Sequence, residues 1–170
     1  MTGTVDVAYV LALEPSSRGL CFVALDKERR LLDWGGFEAR ASKNVRCRQI
    51  ARRLSRTLTP RHIVLEDGDA PTSTRRARIR ELLRAIAQDA TDDGYAVARI
   101  PRLRTRQCLC AYGTGSKDDV AAAVCTIYPQ LSGRLPERRR TWQSEHYSLA
   151  LFEAAALGVT FFDRSGSTRH

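Results

Sequence analysis

The sequence predicts a single α/β domain built on a mixed sheet. Near the N-terminus, three short apolar segments follow one another with turns between them, and beyond them amphipathic segments alternate with apolar ones. The composition, 43% hydrophobic and 28% charged over 170 residues, is that of a soluble globular protein. A chain of this length buries roughly two-thirds of the surface that it exposes when unfolded, so it needs neither a disulfide nor a metal in order to fold.

An antiparallel meander is expected in the first quarter of the chain. Residues 5–14 are apolar and precede a turn formed by residues 15–19, which is typical of a buried strand. A second strand is expected over residues 20–25. After a hairpin turn at residues 26–29, a third strand is expected over residues 31–39.

Helices and strands then alternate. Apolar residues at helical spacing predict a helix over residues 44–58, and an apolar run predicts a buried parallel strand over residues 62–66. A second helix over residues 74–90 and a fifth strand over residues 95–100 complete a mixed five-stranded sheet flanked by helices.

Three further helices are expected in the C-terminal third. They span residues 104–112, 116–128 and 144–157, and a capping box formed by Ser116 and Asp119 opens the second of them. We therefore expect one domain over residues 1–162 and a short C-terminal tail over residues 163–170.

The sequence also indicates where the protein works. The longest apolar runs are far shorter than the ~20 residues that span a bilayer, so no transmembrane helix is expected. The leading interpretation includes no membrane partner. The N-terminal segment lacks the basic start of a signal peptide and carries Asp6 within its apolar stretch. We therefore expect a cytoplasmic protein.

The charge of the chain predicts a polyanionic partner. There are 28 basic and 19 acidic residues, a net charge of +9, and all but three of the basic residues are arginines, which suit bidentate contacts with phosphate oxygens. The basic residues fall in clusters: eight without an acid between residues 40 and 61, and three tighter groups at residues 75–80, 99–106 and 138–140. Several clusters in one small domain favour nucleic acid over a merely solvated surface.

Candidate catalytic residues lie at the ends of strands. In an open α/β sheet the working site lies beyond the carboxyl ends of the strands, where Glu14 and Glu66 are expected. Glu145 is expected in the first turn of the last helix, from which it could aim a third carboxylate at the same point. Carboxylate oxygens are the ligands that Mg²⁺ prefers, and two such ions support hydrolysis of a phosphodiester bond. The three acids on an arginine-rich domain therefore predict a metal-dependent nuclease.

Four segments of the chain resemble the RuvC-type Holliday junction resolvases of the RNase H-like superfamily. The segments are LALEPSSRGLCFVAL, HIVLEDGDAP, IPRLRTRQCLCAYGTGSKDDVAAAVCTIYP and SEHYSLALFEAAALG, and together they span most of residues 5–158. The resemblance implies an RNase H-like fold, two Mg²⁺ (or Mn²⁺) ions, a homodimer and branched DNA as the substrate.

The resemblance also implies roles for individual residues. Glu14, Glu66 and Glu145 match the three catalytic, metal-binding acids, and Lys117 matches a lysine at the end of its helix that faces the nucleic acid. Nucleic-acid contacts are further expected from a set of arginines: Arg75, Arg76, Arg78, Arg104 and Arg106. Asp67, Asp69 or His146 could supply a supporting ligand, and Ser148 is a further possible supporting residue; the sequence does not choose among them.

Two positions differ from the family pattern. The first acid is normally Asp but here is Glu14, and the position three residues after Glu145, where the family carries an acid, is Ser148. The leading hypothesis is a Mg²⁺-dependent endodeoxyribonuclease that acts on branched DNA. These two positions favour the alternative, a nucleic-acid-binding protein that keeps the fold and has lost catalysis. A basic adaptor for a protein or membrane surface is a third possibility.

Overall fold

A mixed five-stranded sheet forms the centre of the protein, as the sequence predicts. The computed structural model describes residues 7–136 and 148–166. The strands there are β1 (Val10–Pro15), β2 (Gly19–Leu25), β3 (Leu31–Glu38), β4 (His62–Glu66) and β5 (Ala96–Ile100). They lie in the order β3-β2-β1-β4-β5, and the first three are antiparallel, whereas β4 runs parallel to β1 and β5 parallel to β4.

Helices cover both faces of this sheet. The helices are α1 (Lys43–Leu58), α2 (Ala77–Asp92), α3 (Arg102–Leu109), α4 (Lys117–Ile127) and α5 (Leu149–Gly166). α1 and α2 pack together on one face, and α3, α4 and α5 pack together on the other. The capping box predicted at the start of α4 is present, since Ser116 accepts from the Asp119 backbone and Asp119 from that of Ser116. Within the two described parts of the chain, no helix is both long and apolar enough to cross a membrane.

Side chains alternate along β1 and β4, so that successive residues lie on opposite faces of the sheet. In β1, Leu11 and Leu13 belong to the core under α1 and α2, whereas Val10 and Ala12 belong to the core under α5. In β4, Val64 faces α5 in the same way. Residues two positions further along each strand therefore face the α5 side of the sheet.

The last helix differs from its predicted range. α5 continues to Gly166 instead of ending at residue 157, so that part of the predicted tail is helical. The helix passes through Gly158, where a Cβ atom would lie 2.9 Å from Leu25 Cδ1. The missing side chain lets α5 approach the sheet closely, and this packing offsets the low helix propensity of glycine.

Candidate functional site

Two buried glutamates lie next to each other at the carboxyl ends of β1 and β4. Leu13 pairs with Leu65 in the parallel register, and Glu14 and Glu66 are the next residue on each strand. Both follow the alternation toward the α5 face, and each is only 3% exposed. The structure thus brings together two of the three predicted catalytic acids.

Arginines contact both of these carboxylates. Arg75 comes from the segment between β4 and α2; its Nε donates to Glu66 Oε2 at 2.5 Å and its Nη2 pairs with Glu14 Oε1. Arg102, the first residue of α3, places Nε 2.9 Å from Glu66 Oε1 and Nη2 3.9 Å from Glu14 Oε1. Two guanidinium groups are therefore shared between two carboxylates.

A third glutamate enters the site from the middle of α5. Glu153 is 4% exposed and forms a bidentate ion pair with Arg106 of α3, with Nη1–Oε2 and Nη2–Oε1 distances of 3.0 and 2.9 Å. Arg106 is itself buried and also donates to Thr105 Oγ1. Together, Glu14, Glu66, Glu153, Arg75, Arg102 and Arg106 form what we call the arginine–glutamate cluster.

The electrostatics of Glu66 reflect this crowding. Burial raises the pKa of the Glu66 carboxyl, Arg102 opposes that rise, and the nearby Glu153 carboxylate adds to it. Lys117 and Arg106 act in the same direction as Arg102. The charged form of Glu66 at neutral pH therefore depends on the cations around it.

The arginine–glutamate cluster forms part of the wall of a cleft of about 620 Å³. Glu14, Glu153, Arg75 and Arg102 line it from the cluster. Four more basic residues are among the other residues that line it: Lys43, Arg76, Arg78 and Lys117. The cleft is therefore markedly basic and lies at the end of the sheet where β1 and β4 finish.

Of the other candidate acids and supporting residues, Asp67, Asp69 and Ser148 are described by the structure, and none of them belongs to the cluster. Glu145 and His146 lie outside the described residues, so their predicted roles remain predictions. Asp69 forms ion pairs with Arg84 at 2.5 Å and Arg99 at 3.1 Å, and these hydrogen bonds hold its pKa far below the usual range. Ser148 lies just before α5 and lines a separate cavity with Cys21 and Arg134.

The predicted nucleic-acid contacts divide into three groups. Lys117, at the start of α4, and the exposed Arg76 and Arg78 line the cleft. Arg104 is exposed on α3 but lines a different cavity. Arg75 and Arg106 have their guanidinium groups on the buried glutamates. In the structure these two arginines form ion pairs with buried carboxylates, a role that the sequence did not predict.

Glu153 and Arg102 are the members of the cluster that were not among the site residues predicted from the sequence. Glu153 stands alone in the apolar run LALFEAAALG, and an isolated carboxylate in a buried helix face requires a cationic partner. That isolation is the signal that could have singled it out. Arg102 follows Pro101 directly at the start of α3, but nothing local distinguishes it from the arginines beside it.

The cluster does not fit a two-metal centre. Its three carboxylate charges are already offset by three guanidinium charges, and a Mg²⁺ ion between Glu14 and Glu66 would displace the contacts of Arg75 and Arg102 while lying beside both. Across residues 7–136 and 148–166, no group of three or more Asp, Glu, His or Cys side chains is arranged to hold a metal ion.

Comparison with known proteins gives structural matches only. No protein-family model matches the chain, and no curated protein matches it in sequence. The structure of RuvC from Thermus thermophilus matches with a TM-score of 0.64 at 21% identity, covering 92% of this chain and 96% of that one. T. thermophilus RuvC in complex with a Holliday junction substrate matches with a TM-score of 0.62 at 18% identity, covering 93% and 96%. The yeast mitochondrial Holliday junction resolvase Ydc2 gives 0.44 at 11% identity, covering 94% and 80%.

The sheet has the strand order β3-β2-β1-β4-β5 and helices on both faces. The matches to T. thermophilus RuvC cover nearly all of this architecture. This chain has the fold of the RuvC-like resolvases, which is a form of the RNase H-like fold.

Proposed function

We propose that this protein binds branched DNA in the basic cleft beside the arginine–glutamate cluster and does not depend on a divalent cation to do so. The observation that carries this proposal is the composition of the cleft: four basic residues line it in addition to Arg75 and Arg102, whereas its lining glutamates, Glu14 and Glu153, are paired with arginines. A wall of this kind attracts phosphates.

The fold supports branched DNA as the ligand. A structural neighbour, T. thermophilus RuvC, has been solved with a Holliday junction substrate, and the match covers nearly the whole of both chains. A four-way junction has approximate two-fold symmetry, so we further propose that this protein acts on it as a homodimer.

A Mg²⁺-dependent endodeoxyribonuclease that acts on branched DNA is the second candidate. The convergence of buried glutamates at the ends of β1 and β4 with Glu153 of α5, in a RuvC-like fold, favours it. For this activity, Arg75 and Arg102 would have to leave the carboxylates when DNA and metal bind. Because breaking these buried ion pairs costs free energy, the endonuclease is the second candidate and not the first.

Binding and cleavage of a labelled four-way junction distinguish the two candidates. Binding is measured by fluorescence anisotropy against a linear duplex of the same length, and cleavage by denaturing gel with protein in excess, in Mg²⁺, in Mn²⁺ and in EDTA. We expect tighter binding to the junction than to the duplex, an affinity in EDTA at least as high as in Mg²⁺, and no nicking in any condition.

Two results would contradict this proposal. Metal-dependent nicks that disappear in Glu66→Gln would establish the endonuclease instead. Binding that is indifferent to salt, or equal for junction and duplex, would argue against recognition of branched DNA and favour an adaptor role.

A further inference from the structure

Arg75 bridges two strands that otherwise end in adjacent carboxylates. Its side chain is 15% exposed, and Nε and Nη2 contact Glu66 and Glu14, respectively. The two carboxylates follow a hydrogen-bonded strand pair, so their separation is fixed by the sheet rather than by the arginine. A cation is needed at this point because like charges this close, and this deeply buried, repel each other and lack water.

A guanidinium and a divalent metal ion satisfy that need in different ways. Arg75 supplies one positive charge that is shared by two carboxylates, with Nε donating to Glu66 and Nη2 in an ion pair with Glu14. Arg102 supplies a second positive charge to the same two carboxylates. The pair of carboxylates is thereby neutralised by the protein itself. Adding an ion of charge +2 would leave an excess of positive charge among groups already within 4 Å of one another.

We propose that Arg75 stands in for a divalent cation at the carboxyl ends of β1 and β4. With Arg75 in place, the carboxylates of the arginine–glutamate cluster are neutralised without a metal ion. The guanidinium group also occupies the position between Glu14 and Glu66 where a cation could otherwise bind. Removing the guanidinium, with the strand register unchanged, leaves one uncompensated buried carboxylate and creates a site for a hard divalent cation such as Mn²⁺ or Mg²⁺.

The test uses no DNA, so its outcome is independent of the proposed binding of branched DNA. The full chain, Arg75→Met and Arg78→Met are compared in EDTA and in about 5 mM MnCl₂ by thermal unfolding, and Mn²⁺ binding is measured directly by titration followed by electron paramagnetic resonance. Arg78 lines the same cleft and is exposed, so its substitution removes the same charge without touching the glutamates.

For the unmodified protein and for Arg78→Met, we expect no Mn²⁺ binding at the cluster and a melting temperature that differs by less than about 1 °C between EDTA and MnCl₂. For Arg75→Met we expect one bound Mn²⁺ and a rise of about 3–5 °C in MnCl₂. The double variant Arg75→Met/Glu66→Gln should lose both effects, because the uncompensated carboxylate is gone.

Two outcomes would overturn the inference. One is stoichiometric Mn²⁺ binding by the unmodified protein that is lost in Glu66→Gln, which needs no Arg75 variant to fold. The other is a folded Arg75→Met protein that binds no more Mn²⁺ than Arg78→Met.

Discussion

At the scale of single residues, the site is governed by the cost of burying a charge. Glu14, Glu66 and Glu153 are each at most 4% exposed, and an unpaired carboxylate at that depth costs several kcal/mol. The arginines that accompany them come from two places along the chain, the segment before α2 and helix α3. The ion pairs with the buried acids therefore also hold the segment before α2 and helix α3 against the ends of β1 and β4 and against α5.

The pair of Glu153 and Arg106 provides a direct test. Arg106→Met removes both hydrogen bonds to Glu153 and leaves a buried carboxylate without its main partner. We expect the free energy of unfolding to fall by about 3–5 kcal/mol at pH 7, measured by urea denaturation.

The double variant Arg106→Met/Glu153→Met is the control. It replaces the pair with apolar side chains of similar volume, so it should recover most of the stability lost in the single variant. A single variant within about 1 kcal/mol of the unmodified protein would show that Glu153 does not need Arg106.

At the scale of secondary-structure elements, another buried acid, Asp89, joins the two helices on the opposite face of the sheet. Asp89 of α2 is 6% exposed and accepts two hydrogen bonds from Arg48 of α1, at 2.8 and 2.9 Å, with Arg52 at 3.6 Å. These hydrogen bonds from Arg48 lower the pKa of the Asp89 carboxyl, against the effect of burial. The ion pair reinforces the apolar contact between α1 and α2.

This lowered pKa predicts how stability depends on pH. A carboxyl group with a lower pKa in the folded state stabilises the protein above its unfolded pKa, about 3.9, and the contribution is lost as the pH falls through the folded value. Asp89→Asn should therefore lower the free energy of unfolding by about 1–2 kcal/mol at pH 7. The difference should narrow below about pH 4, as measured by urea denaturation across pH.

Asp92→Asn is the matched control, because Asp92 is exposed on the same helix and bonds only Gln88 among the described residues. It changes the net charge equally but should shift stability by less than about 0.5 kcal/mol. If the two variants lower the free energy of unfolding equally at every pH, the Arg48–Asp89 ion pair does not stabilise the fold.

At the scale of the whole molecule, the position of the positive charge matters more than its amount. The net charge of +9 is spread widely, but the cleft at the carboxyl ends of β1 and β4 concentrates Lys43, Arg76, Arg78 and Lys117 around one concave surface. If each contacts one phosphate, the logarithm of the DNA affinity should fall with the logarithm of salt concentration with a slope of about −3 to −4 per protomer.

Substituting Arg78 and Arg61 one at a time distinguishes the effect of charge in the cleft on DNA binding from the effect of the total charge. Arg61 is exposed just before β4, at the opposite end of the sheet, so Arg61→Ala removes the same charge far from the cleft. Arg78→Ala should make the salt slope shallower by about one, whereas Arg61→Ala should leave it unchanged. The same change in slope for both variants would show that DNA contacts are not confined to the cleft.

The sequence by itself determined the order of the elements and the two acids at the strand ends. Strands and helices follow from apolar spacing over a few neighbouring residues, and the capping box at Ser116 is also a local pattern. Glu14 and Glu66 were predictable because each ends an apolar strand, and parallel strands finish at the same edge of a sheet.

Only the tertiary structure decided which charges meet. Arg106 reaches Glu153 across 47 positions of the chain, and Arg75 joins Glu14 to Glu66 from a third segment. In the sequence, Arg75 and Arg106 resemble every other arginine of their clusters, because a side chain's partner depends on how helices pack against the sheet and not on its neighbours along the chain. The same packing made Glu153 a buried acid of the cleft and turned two predicted DNA contacts into the partners of buried carboxylates.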